Sequence, residues 1–130
     1  MPAYNVVLFD PPAPVAQVKL RNFHNGLFLD DVQMLLDTGA DVTLIPKSAI
    51  EQMNVSIIPD KQYELVSFDG EVHIAFVVEL EMIIFDKTLR GRFIPVDQTW
   101  GILGRNVLNL FPLFLDGPHG NWEVQPDPIL

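Results

Sequence analysis

The chain contains no cysteine, which removes disulfides, thiolate nucleophiles and thiolate metal sites together. A cysteine-free chain fits a reducing compartment. Basic residues are scarce: eight Lys and Arg stand against 17 Asp and Glu, for a net charge of −9. Neither nucleic acid nor an anionic membrane offers such a chain a counter-charge, so binding to either is not expected. The sequence lacks the run of about 20 apolar residues that a membrane-spanning helix needs. The opening Met1-Pro2-Ala3-Tyr4-Asn5 also lacks the basic stretch and apolar core of a secretion signal. A soluble cytoplasmic protein is the expectation. His24, His73 and His119 lie far apart, without the one-turn spacing of a helical metal site. They read as solvated or hydrogen-bonded side chains. Gly101-Ile102-Leu103-Gly104 has neither the lysine nor the third glycine of a phosphate loop. Asp37 to Asp41 lacks the alternating acids of a calcium loop. No metal and no cofactor is expected.

What the chain does have is apolar content, 48% against 19% charged residues, which suits a packed core. At 130 residues one domain, 1–130, is expected to bury about two-thirds of its unfolded surface. Val15 to Phe23 alternates, with Ala16, Val18 and Leu20 on one side and Gln17, Lys19 and Arg21 on the other. That is the pattern of a half-buried strand. His24-Asn25-Gly26 signals a turn, and Asp30-Asp31 opens a strand toward Asp37. The longest alternation runs from Glu71 to Ile84, with Val72, Ile74, Phe76, Val78, Leu80, Met82 and Ile84 on one face. Tyr4 to Phe9, Leu89 to Val96, Leu113 to Leu115 and Trp122 to Val124 are further strand-like runs. Residues 104–110 form the expected short C-terminal helix, and Lys47 to Met53 is a second helix candidate behind Pro46. Short strands between turn signals, with no repeat, predict an all-β, barrel-like domain.

The chain is organised around Leu35-Leu36-Asp37-Thr38-Gly39-Ala40-Asp41-Val42-Thr43-Leu44-Ile45-Pro46. Apolar segments enter and leave an acidic turn, and Gly39 lets the backbone turn tightly. Such an aspartate is a candidate for catalysis, although Asp-Thr-Gly is also ordinary vocabulary for a turn between strands. Peptide hydrolysis by carboxylates needs two of them, one to take a proton from water and one to polarise the carbonyl. Like charges a few Å apart cannot both ionise, a behaviour for which aspartic proteases are the standard example. Only one Asp-Thr-Gly occurs. If Asp37 is catalytic, its partner must therefore be Asp37 of a second chain across a two-fold axis.

Together with Trp100-Gly101-Ile102-Leu103-Gly104-Arg105-Asn106, this stretch resembles the retropepsin family, the retrovirus-type aspartic proteases and their cellular relatives. The resemblance covers residues 14–116. It implies a closed, barrel-like acid-protease fold of one lobe and a homodimeric endopeptidase that cleaves peptides or proteins without a cofactor. It implies that Asp37, Thr38 and Gly39 form the catalytic turn, with Thr38 bracing the two active-site loops. It assigns Ala40 and Asp41 to peptide contacts, and it pairs Arg105 with Asp41 as structural support. Trp100 and Ile102 match pocket-lining positions, although Trp100 as core packing and Arg105 as a plain surface charge are the competing readings. Ser67-Phe68-Asp69-Gly70 stands where the family has its flap, with Phe68 toward substrate. Here the chain departs from viral flaps, which carry several glycines. The C-terminal segment is also longer than the single interface strand of the compact viral enzymes. Leu113 to Val124 is expected to supply an interface hairpin. With Met1 directly before the domain, a free-standing cellular or bacterial member is expected. A retropepsin-like dimerisation or peptide-binding module with little turnover is the alternative.

Overall fold

The structure is a computed structural model and describes residues 2–66 and 69–126. In chain order the strands and helices are β1 (Tyr4–Asn5), β2 (Ala13–Arg21), β3 (Phe28–Leu36), β4 (Leu44–Pro46) and α1 (Lys47–Gln52). Then follow β5 (Ile57–Val66), β6 (Val72–Ile84), β7 (Lys87–Val96), β8 (Gly101–Leu103), α2 (Arg105–Leu108), β9 (Leu113–Asp116) and β10 (Asn121–Val124). Eight strands form one sheet in the order β1-β2-β3-β8-β4-β7-β6-β5, and an extra pairing of β2 with β6 closes it on itself. The closure removes free edges from the body of the sheet. The all-β, barrel-like expectation holds.

Alternation decides which side faces in. In β2, Ala16, Val18 and Leu20 are buried, and they meet Val78, Leu80 and Met82 of β6 in the core. β6 is in or out of the core by position along its length and not only by face. Val78, Leu80, Met82 and Ile84 are buried, whereas Val72, Ile74 and Phe76 on the same face are at least half exposed. Among the described residues the outer half of β6 pairs only with β5, so the two form an arm reaching past the barrel with its apolar face exposed.

Three details differ from the sequence pattern. The run from Tyr4 to Phe9 contributes only Tyr4 and Asn5 to a strand. The side-chain carbonyl of Asn5 accepts the N–H groups of Val7 and Leu8 at 2.9 and 2.8 Å, which curls the chain out of the sheet. The short helix expected over residues 104–110 is α2, trimmed to four residues, whereas the candidate at Lys47 to Met53 forms as α1. α1 forms because Ala49 and Ile50 bury against the core. In β3, Asp30 and Asp31 lie opposite Lys19 in a bulge, with Asp31 at φ 55°, so the strand begins before them, at Phe28.

β9 and β10 form a hairpin. Trp122 locks it to the barrel, with a side chain 1% exposed and its Nε1–H donating to the Val15 carbonyl at 2.8 Å. The N-terminal segment lies along β10 through Tyr4 N–H to Gly120 O and Trp122 N–H to Pro2 O. The outer edge of β9 has no strand partner among the described residues, and Phe114 and Leu115 beside it are exposed. Among the described residues no helix is long and apolar enough to cross a membrane.

Candidate active site

β3 ends at Leu36 and delivers Asp37 into a turn. Its N–H donates to Leu103 O of β8 at 3.1 Å, and its carbonyl accepts Ala40 N–H at 3.2 Å. The side chain is fixed as well, since Oδ1 accepts Gly39 N–H at 2.9 Å. Asp37 is half-buried at the surface of the single chain, while Thr38 and Gly39 are exposed. The turn presents a carboxylate held by its own backbone rather than one sunk in the core.

The support of this turn lies in the order of the strands. β8 runs parallel to β3, with Leu36 opposite Leu103, and antiparallel to β4, with Leu44 opposite Ile102. The chain therefore leaves on one side of β8, makes the Asp37 turn and returns on its other side. At the exit of β8, Gly104 lies against the turn so closely that a side-chain carbon there would collide with the Val42 carbonyl. Glycine is required by this approach. Arg105 N–H then donates to Ala40 O at 2.8 Å.

A buried hydroxyl completes the junction. Thr43 is fully buried, and its Oγ1 accepts Gly104 N–H at 3.0 Å and donates to Asn106 Oδ1 at 2.7 Å. Thr43 and Asn106 are supporting residues that the sequence reading did not single out. The only local signal was a hydroxyl residue between apolar Val42 and Leu44.

Arg105 does not pair with Asp41. Its Nη1 donates to the Thr38 carbonyl at 2.7 Å, and both Arg105 and Asp41 are exposed. The physical reason is local: the Arg105 backbone is tied to Ala40, so its side chain lies over the preceding turn of the loop.

Residues 11–115 match the family model of the retroviral aspartyl proteases. The chain belongs to that family. Similar solved structures share the fold of this retropepsin at low sequence identity. The EIAV protease complexed with the inhibitor HBY-793 is 19% identical, with a TM-score of 0.56, over 82% of this chain and 90% of that one. A retropepsin-like aspartic protease from Rickettsia conorii is 16% identical, with a TM-score of 0.56, over 88% of this chain and 80% of that one. The foamy viral protease-reverse transcriptase in complex with an RNA/DNA hybrid matches at 13% identity and a TM-score of 0.52, over 89% of this chain but 13% of its own. No curated protein matches this sequence.

In this retropepsin the remaining candidate residues cluster by strand. Ile102 is half-buried on β8 beside the Asp37 turn, and Ala40 is half-buried within that turn. Trp100 precedes β8, is half-buried, and packs edge-to-face on Phe9 with ring centroids 4.9 Å apart. Phe68 lies outside the described residues. The arm nevertheless ends in a turn with Gly70 at φ 84° and Asp69 Oδ1 accepting Glu71 N–H. Cavities of about 500 and 580 Å³ lie elsewhere, under the N-terminal segment and between α1 and β6, and Asp37 lines neither.

Proposed function

We propose that this protein is an aspartic endopeptidase whose active site forms between the Asp37 carboxylates of two copies. One carboxylate, ionised, takes a proton from a bound water as its oxygen attacks the scissile carbonyl. The other, protonated, donates a hydrogen bond and then its proton to that carbonyl oxygen. Collapse of the tetrahedral species returns a proton to the leaving amine, and the C–N bond breaks. The water supplies the hydroxyl of the new carboxyl group, and no cofactor takes part.

The observation that carries this reading is the single Asp37 turn, held to β8 by Leu103 and to itself through Gly39. One carboxylate per chain cannot perform both roles, so two chains are needed. Exposed Thr38 and Gly39 are where a two-fold neighbour would meet this loop, and the open edge of β9 with Phe114 and Leu115 is a second surface for it. Ala40, Asp41 and Ile102 line the peptide path beside the turn, and the arm formed by β5 and β6 serves as the lid that excludes water. The lack of cysteine suits a cytoplasmic setting. A peptide-library digest at mildly acidic pH, with and without a statine-type inhibitor, tests the reading. Inhibitor-sensitive cleavage is expected. Peptide binding with no cleavage from about pH 4 to pH 7, the range for paired carboxylates sharing a proton, would instead mean a binding module.

A further inference from the structure

Gln33, on β3, holds its Nε2 out of solvent, and among the described residues no group pairs with it. A buried amide N–H without a partner is costly, so such an atom marks a place where a partner is expected. Gln33 lines the cavity of about 500 Å³ under the N-terminal segment. That volume lies in the range of small-molecule sites, about 300–1,000 Å³, and far exceeds what one bridging water needs. Val15, Ile84, Phe85 and Trp122 supply apolar walls, and none of the described residues lining the cavity is charged. The Trp122 indole N–H is already given to the Val15 carbonyl, so its ring offers only apolar surface.

Phe85 is the unexpected wall. It takes the first position of the two-residue turn between β6 and β7, at φ 50°. Such turns favour Asn, Asp or Gly there, because a bulky residue is strained at positive φ. The Phe85 ring packs edge-to-face on Trp122, with centroids 5.4 Å apart, while the residue stays 37% exposed. An aromatic side chain is thus held beside Trp122 in a backbone conformation that the turn alone would not select.

We propose that this cavity binds an uncharged, mainly aromatic small molecule whose carbonyl oxygen accepts the Gln33 N–H. The Phe85 and Trp122 rings take its apolar part. A carboxylate or phosphate fits poorly, since no cation lines the cavity to offset its desolvation and the chain already carries a charge of −9. The site is separate from Asp37, which does not line it, so the inference does not rest on the protease reading. A bound molecule would bridge β3 to the N-terminal segment and to Trp122 of β10.

The test uses benzophenone, its alkene counterpart in which a methylene group replaces the carbonyl oxygen, and the anion para-benzoylbenzoate. Binding to the full chain is followed through the NMR signals of the Trp122 and Trp100 indole N–H groups, assigned with Trp100→Phe. Benzophenone should shift the Trp122 signal and leave that of Trp100 in place. It should bind about fivefold more tightly than the alkene, the worth of one hydrogen bond. The anion should bind more weakly than benzophenone. Gln33→Leu keeps the size of the side chain but removes the donor, and it should bind ketone and alkene alike. Equal affinity of the wild type for ketone and alkene overturns the proposal, and that comparison needs no variant to fold. So does a preference for the ketone that survives in Gln33→Leu, a shift of Trp100 in place of Trp122, or tighter binding of the anion. Failure of every probe to bind up to its solubility limit leaves the cavity to water and also overturns the proposal.

Discussion

The buried hydroxyl of Thr43 joins two segments 61 and 63 residues away in sequence, accepting from Gly104 N–H and donating to Asn106. This one oxygen ties the return strand of the Asp37 turn to the start of α2. Replacing it by a methyl group in Thr43→Val preserves the shape but strands a buried N–H and the Asn106 carbonyl oxygen. The expected loss is about 1–3 kcal/mol of stability. Thr43→Ser, which retains the hydroxyl, should lose less. Urea denaturation of the two variants provides the comparison, and equal losses would show that the methyl group matters and the hydrogen bonds do not.

Gly104→Ala is expected to be more damaging to the site than its size suggests. The added carbon meets the Val42 carbonyl, which is backbone and has no rotamer to retreat into. Displacement of the turn should destabilise the fold by about 1–3 kcal/mol and depress cleavage further than stability alone accounts for. Turnover measured well below the melting temperature separates the two effects. Retained wild-type turnover would mean that the turn tolerates the shift.

Arg105→Ala removes one hydrogen bond from an exposed guanidinium to the Thr38 carbonyl. No desolvated carboxylate is left behind, since Asp41 is exposed and is not its partner. We therefore expect at most about 1 kcal/mol of lost stability in the isolated chain, because solvent screens such surface interactions. Its larger effect should fall on association, through the orientation of Thr38 at the two-fold contact. Thermal melting combined with sedimentation distinguishes these outcomes. A large loss of monomer stability with unaltered association is the contrary result.

Sedimentation at micromolar concentration should find a dimer. Phe114→Lys should weaken it, because the charge would have to be buried where an apolar side chain now stands exposed. A wild-type protein that stays monomeric while still cutting peptide would sink the shared-site mechanism. An unaltered dimer in Phe114→Lys would move the interface away from β9.

Asp37→Asn retains the shape of the carboxyl group but removes the base for water. Symmetry places the change in both halves of the site, so cleavage should be abolished. Folding should survive, and pairing of the chains should improve or stay the same once two acids no longer crowd each other. Turnover of a cleavable peptide beside its binding affinity is the measurement. Cutting at the wild-type rate would remove Asp37 from the mechanism.

The sequence by itself determined whatever depends on neighbours along the chain. Alternation set the buried faces of β2 and of inner β6, because successive strand residues must point to opposite sides. The single Asp-Thr-Gly made a second chain part of the proposed mechanism, because that mechanism uses one carboxyl as acid and another as base. Tertiary structure decided what depends on residues more than 60 positions apart. Only the passage of β8 between β3 and β4 brings Gly104 under Val42, gives the Thr43 hydroxyl its two partners and turns Arg105 to Thr38 rather than to Asp41. The same holds for outer β6, where Val72, Ile74 and Phe76 continue the apolar pattern yet lie exposed beyond the barrel. A periodic pattern specifies which face a residue occupies, whereas burial requires another element over that face, and strand order supplies it.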